Sequence, residues 1–269
     1  MRVAGSLALI VAGLSLGAAA WARPDTDARL YVRPRPVVLG LLFNDQNPLF
    51  ANNPDLERAI NFALDRPALI RTRGRYAGHP TARIMPPTLP GYGTRSPYPL
   101  DAPQLTTAQT LAAGNLRGGK ATLEINYGFQ GLGQEVKRDL APIGLDVAVR
   151  LIPRCATYRC ANEPPADMDL TAWGADYPDP ASVFASFDRP WFGSPQLLPR
   201  FRARLAAALR LSGSSRARVF SQLDSDVMSQ APPVAPIMAL NAAMLVSART
   251  HCFHWNFYYG VDLSALCIR

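Results

Sequence analysis

The stretch that decides the fold is Asp169-Leu-Thr-Ala-Trp-Gly-Ala-Asp-Tyr-Pro-Asp-Pro-Ala-Ser-Val-Phe184, where a short apolar run stops and becomes a loop. Met168, Leu170 and Ala172 alternate with Asp167, Asp169 and Thr171, the period-two signature of a strand. Trp173 closes that strand. Gly174 permits a backbone turn, and Pro178 and Pro180 remove donors and fix φ, so the strand must end here. In open α/β sheets ligands bind beyond the carboxyl ends of strands, and a carboxylate beside a tryptophan suits an ammonium group there. The segment reads as a binding loop carrying Trp173, Asp176, Tyr177 and Asp179, or more plainly as a solvated acidic turn.

Upstream lies the clearest supersecondary unit. Leu123, Ile125 and Tyr127 alternate with Thr122, Glu124 and Asn126; Gln134 to Ile143 reads as a helix stopped by Gly144; Leu145, Val147, Val149 and Leu151 alternate again. Strand, helix, strand requires a crossover and therefore a parallel, right-handed pair. Further upstream, Val37 to Phe43 reads as a buried strand, with the proline-interrupted Leu30 to Pro36 as an edge or linker. Asn53 and Pro54 open a helix whose Leu56, Ile60 and Leu64 share a face, and Asp65 caps a second helix with Pro67 in its first turn. A short helix from Thr106 or Thr107 ends near Gly114.

Two segments in order resemble a known family. Trp173-Gly-Ala-Asp-Tyr-Pro-Asp-Pro180 is similar to the loop of the extracytoplasmic solute-binding proteins, family five, that serve peptide-importing ABC transporters. Asp55-Leu-Glu-Arg-Ala-Ile-Asn-Phe-Ala-Leu-Asp-Arg-Pro-Ala-Leu-Ile70, followed by Pro86-Pro-Thr-Leu-Pro-Gly-Tyr92, resembles the family's Arg-Ala-Ile-Asn helix and its Pro-Gly-Tyr turn. The resemblance runs from about Leu30 to the C-terminus; members are roughly twice this length, and the missing part builds most of their first lobe. It implies an α/β, periplasmic-binding-protein type II-like lobe with a mixed sheet and flanking helices. The expected organisation is residues 1–22 as a signal peptide or remnant of the first lobe, 23–52 as an inter-lobe segment, 53–230 as the second lobe, and 231–269 as a return toward the first. It also implies that Asp176 meets the α-ammonium of a peptide, with Trp173 in the pocket wall and Tyr177 as a further lining residue. The expected partners are a peptide or similar small solute and an ABC permease in the inner membrane. Other solutes bound on this fold include nickel complexes, sugars and opines.

Other features bound these readings. The 269 residues are 48% hydrophobic, enough for a sizeable core. A net charge of +8 is spread over dispersed arginines, without the basic stripe of a nucleic-acid binder. Met1 to Ala22 has one positive charge, an apolar core and small residues at Ala20 and Ala22, which is the grammar of a signal peptide cleaved before Arg23 and of a periplasmic protein. The alternative is an ordinary buried segment of the missing lobe. In an oxidising compartment Cys155 with Cys160 and Cys252 with Cys267 are expected to form local disulfides; in the cytoplasm the four would be buried free thiols. No nucleotide, hydrolase or metalloprotease motif is present, and no cofactor or metal is expected; His251 and His254 read as packing among the aromatics. The enzyme alternative, a hydrolase using Asp176 and Asp179, is set against the local hydrogen-bonding role usual for acids three apart on a turn. A further alternative is a non-transporting remnant or a module that contacts another protein.

Overall fold

The strand that precedes the Trp173 loop lies inside a six-stranded mixed sheet. A computed structural model of the protein describes residues 28–152, 165–187 and 197–268. In chain order the main elements are β1 (Arg29–Phe43), α1 (Pro54–Ala63), α2 (Arg66–Arg73), β2 (Gly78–Pro80), α3 (Leu105–Ala112), β3 (Lys120–Ile125), α4 (Gln130–Leu140), β4 (Asp146–Leu151), β5 (Met168–Gly174), α5 (Pro180–Phe184), α6 (Pro199–Ala208), α7 (Gly213–Gln230) and β6 (Val234–Val246). The sheet order is β2-β6-β1-β5-β3-β4. β3 pairs in parallel with β4, from Lys120 opposite Asp146 to Ile125 opposite Leu151, as the strand-helix-strand pattern requires. β5 is also parallel to β3, whereas β1 runs antiparallel to both β5 and β6.

Alternation divides the sheet's two faces between two cores, giving three layers. Leu39, Leu41 and Phe43 of β1 pack with Leu170, Leu123 and Ile125 against Leu56 and Ile60 of α1 and Val136 of α4. Val38 and Trp173, of opposite parity, pack with Phe184, Phe201, Leu205, Phe220 and Leu223 on the other side. Because both faces are covered, alternation does not report solvent exposure everywhere. Glu124, on the polar side of the alternation, is buried and held by Arg150 on β4 at 2.7 Å. Burying the carboxylate is sustained by that charge-assisted bond.

Several boundaries differ from expectation for local reasons. β1 is continuous through Pro34 and Pro36, because residues up to Pro34 pair only with β6, and a register shift falls between Pro34 and Val38. β6 likewise runs unbroken to Val246. α4 is Gln130–Leu140 followed by a 3-10 turn to Ile143, and Gly144 takes φ +86, a conformation that stops the helix. β3 ends at Ile125, leaving Tyr127 exposed in the turn. Asp65 does cap α2 by accepting from Ala68 N at 2.8 Å. Asn53 precedes α1 but its side chain donates to Leu49 O and Asn115 O, so it ties loops together and does not cap.

Beyond β6 the chain forms two short pairs, β7 (Thr250–His251) with β10 (Cys267–Ile268) and β8 (Trp255–Asn256) with β9 (Gly260–Val261). Cys252 and Cys267 are joined, with Cα atoms 5.5 Å apart. The aromatic tail docks: Phe253 stacks on Tyr31 at 4.2 Å, and Tyr258 packs against the second core. Cys155 and Cys160, and residues 1–22, lie outside the described residues. No helix among the described residues is long and apolar enough to cross a membrane.

Candidate functional site

Residues 174–182 leave the carboxyl end of β5 at the point where β1 continues past it. Val37 is opposite Gly174, and Ala175 N donates to Pro36 O at 2.9 Å, so the loop is pinned to β1 for one further residue. Gly174 is needed for closeness and not for a turn: a Cβ there would stand 2.5 Å from Pro36 O and 2.9 Å from Val37 Cγ2. Asp176 N donates to Ser182 Oγ at 2.8 Å, closing the loop onto α5. Proline at the first helical position and Asp179 before it start that helix, Asp179 Oδ1 accepting from Ala181 N at 2.8 Å.

The two loop acids have separate fates. Asp179 is gripped by Arg216 of α7 through both carboxylate oxygens, each at 2.9 Å, and Arg216 also donates to Ala208 O and Leu209 O. That guanidinium holds the Asp179 carboxyl below the usual carboxylate range. Asp176 is exposed, and its carboxylate makes no hydrogen bond or ion pair with any described residue. Tyr177 beside it is half exposed, so both are on the open side of the loop. An acid and base pair needs two available carboxyls, and here Asp179 serves as cap and ion-pair partner.

Trp173 sits in the core at 8% exposure. Its Nε1 donates to Ile84 O at 2.9 Å, and its ring meets Phe187 edge-on at 5.9 Å. Ile84 N in turn donates to Asp224 of α7 at 3.0 Å, and Arg83 pairs with the same carboxylate at 3.1 Å. Burial pushes the Asp224 carboxyl up to about 6 despite the arginine beside it. Trp173 thus underlies the loop, and Gly40, on which a Cβ would meet the tryptophan ring at 2.9 Å, leaves room for it. Sequence reasoning missed Arg216 and Ser182, which hold the loop; neither lies in a local pattern that points to it. No group of three or more His, Cys, Asp or Glu among the described residues is placed to hold a metal ion.

Residues 8–194 match the bacterial extracellular solute-binding proteins, family 5, middle region. The chain belongs to this family. Among solved structures it is similar to a putative peptide binding protein, AppA, from Clostridium difficile, with 16% identity, TM-score 0.75 and coverage of 94% of this chain and 54% of that one. It is also similar to the dipeptide binding protein from a Pseudoalteromonas species in complex with Met-Leu, with 21% identity, TM-score 0.71 and coverage of 96% and 52%. A third is DppA from Helicobacter pylori in complex with the peptide STSA, with 18% identity, TM-score 0.74 and coverage of 95% and 51%. The family-five member therefore has the type II binding-protein lobe and spans about half the length of these solved relatives. No curated protein matches its sequence.

Proposed function

We propose that this chain is the solute-binding component of an ABC importer and takes the α-ammonium end of a peptide on Asp176. The observation that carries the reading is the exposed Asp176 carboxylate, without a partner among the described residues, on a loop whose other acid is engaged. Relatives crystallised with Met-Leu and with a tetrapeptide support a peptide as the solute, and an inner-membrane permease as the partner. Binding without chemistry also fits a site in which Asp179 serves structure.

The test is calorimetry with Met-Leu and with N-acetyl-Met-Leu, which lacks the ammonium. Losing one member of a charge-assisted pair costs about 2 kcal/mol or more where the bound peptide removes it from water and about 1 kcal/mol where it stays exposed, so Asp176→Asn should weaken Met-Leu by about thirtyfold in the first case and about fivefold in the second. Equal affinity of wild type and variant, or of free and acetylated peptide, would sink the assignment.

Export through a leader ending at Ala22 is part of this proposal and predicts Arg23 as the mature N-terminus. The family match reaches back to residue 8 and so favours a second reading, in which the apolar run belongs to the domain. N-terminal sequencing of envelope protein separates them. A protein-contact role is likewise favoured by one feature, the exposed Leu30, Leu245, Leu263 and Ile268 of the β1, β6 and tail region.

A further inference from the structure

At the opposite end of β5 from Asp176, about 20 Å away along the strand, lies a cavity of about 500 Å³. It opens between the segment after β1, the start of α1, the end of α7 and Leu198. Its lining joins two acids, Glu57 and Asp45, to Gln46 and the apolar Phe50, Leu198 and Pro233. Glu57 is only 8% exposed, yet its carboxyl makes no hydrogen bond and no ion pair with any described residue. A buried acid without a partner is costly, and structures retain such groups chiefly where something else supplies the partner.

We propose that this cavity is a second ligand site, taking a small organic ammonium compound with an apolar body, its cationic head against Glu57. The charges select the sign. Asp45, which accepts from Gln46 Nε2 at 2.8 Å, lies near enough to act on Glu57 and disfavours an anion there. The other titratable group facing Glu57 is the Tyr98 phenol, which donates to Met228 O. Two carboxyls fall short of a metal cage, whereas Phe50, Leu198 and Pro233 offer apolar walls that a bare ion does not use. Burial, with Asp45 adding to it, pushes the Glu57 carboxyl up to about 9, so it holds a proton at neutral pH. An arriving ammonium favours the carboxylate, and the proton leaves to solvent.

Hexylammonium and its neutral analogue hexanol are suitable probes for calorimetry on the whole chain at pH 7.5. Hexylammonium should bind, hexanol at least about tenfold more weakly, and titrations in buffers of different ionisation enthalpy should show about one proton released per ligand. Glu57→Gln, close in shape to the protonated acid, should fold normally, weaken hexylammonium by about tenfold or more and abolish the proton release. Asp176→Asn should leave all of this unchanged, so failure here and failure of the peptide assignment are told apart. Absence of hexylammonium binding at millimolar concentration, equal affinity for hexanol, or binding without proton release overturns the proposal.

Discussion

Arg66 is fully buried with no carboxylate in ion-pair contact among the described residues, and replacing it with methionine tests how the lobe is held together. Nε donates to Thr81 O at 3.1 Å and Pro236 O at 2.9 Å, Nη1 to Asn61 O at 3.0 Å and Pro99 O at 2.9 Å, and Nη2 to Asn61 Oδ1 at 3.2 Å. One side chain thus ties the end of α1, the segments after β2 and β6 into a single unit. Burial pulls its guanidinium down to about 10, still charged at neutral pH. Methionine keeps much of the volume, so the loss is of donors. Removing a buried charge relieves its desolvation, but the facing carbonyls stay buried and lose their donor at about 1 kcal/mol or more each. Orphaned acceptors should win, giving a net loss of about 4 kcal/mol and a fall in Tm of about 8 to 16 °C. Urea unfolding followed by tryptophan fluorescence measures this, and lysine, with three donors on one point, should fall between. A methionine variant within about 1 kcal/mol of wild type, at unchanged m-value, refutes the reasoning.

Two further outcomes follow from the loop and the tail. Arg216→Ala should loosen the Asp179 turn and lower stability at neutral pH. Because the folded Asp179 carboxyl is depressed by Arg216, that contribution is present above the ordinary carboxylate pKa and lost as pH falls through the folded value, so variant and wild type should converge in acid unfolding below about pH 4. Reduction of the Cys252–Cys267 bond, which closes a 15-residue separation, should destabilise the tail by about 3 kcal/mol, read as proteolysis of residues 247–268 ahead of the lobe.

Legibility in the sequence tracked how local the cause was. The β3–α4–β4 unit is visible because its periodicity, its Gly144 stop and its parallel pairing all follow from contiguous residues. The end of β5 is visible for the same reason. What periodicity does not carry is which side chains are claimed by distant partners. Trp173 answers to Ile84, Asp179 to Arg216 and Glu124 to Arg150, across separations of 89, 37 and 26 residues. Glu57 illustrates the limit: it lies next to Leu56 but off the Leu56, Ile60 and Leu64 face, and the segment after β1 together with Pro233 encloses it.

The placement of Asp176 sets what this lobe can do by itself. From Arg29 to Pro34, β1 pairs only with β6, and Pro36 meets the loop through Ala175 N, so these two strands carry the chain away from the sheet just where the loop emerges. The loop and the outgoing strands therefore adjoin, with Asp176 exposed beside them. An ammonium against an exposed carboxylate in high dielectric gains little, about 1 kcal/mol at 4 Å, whereas the same pair at an effective dielectric near 20 gains about 4 kcal/mol. The strength of the Asp176 contact therefore depends on how far a covering surface removes it from water. Exposed Leu30 and Leu245, directly opposite each other on the outgoing strands, mark where apolar area remains to be covered.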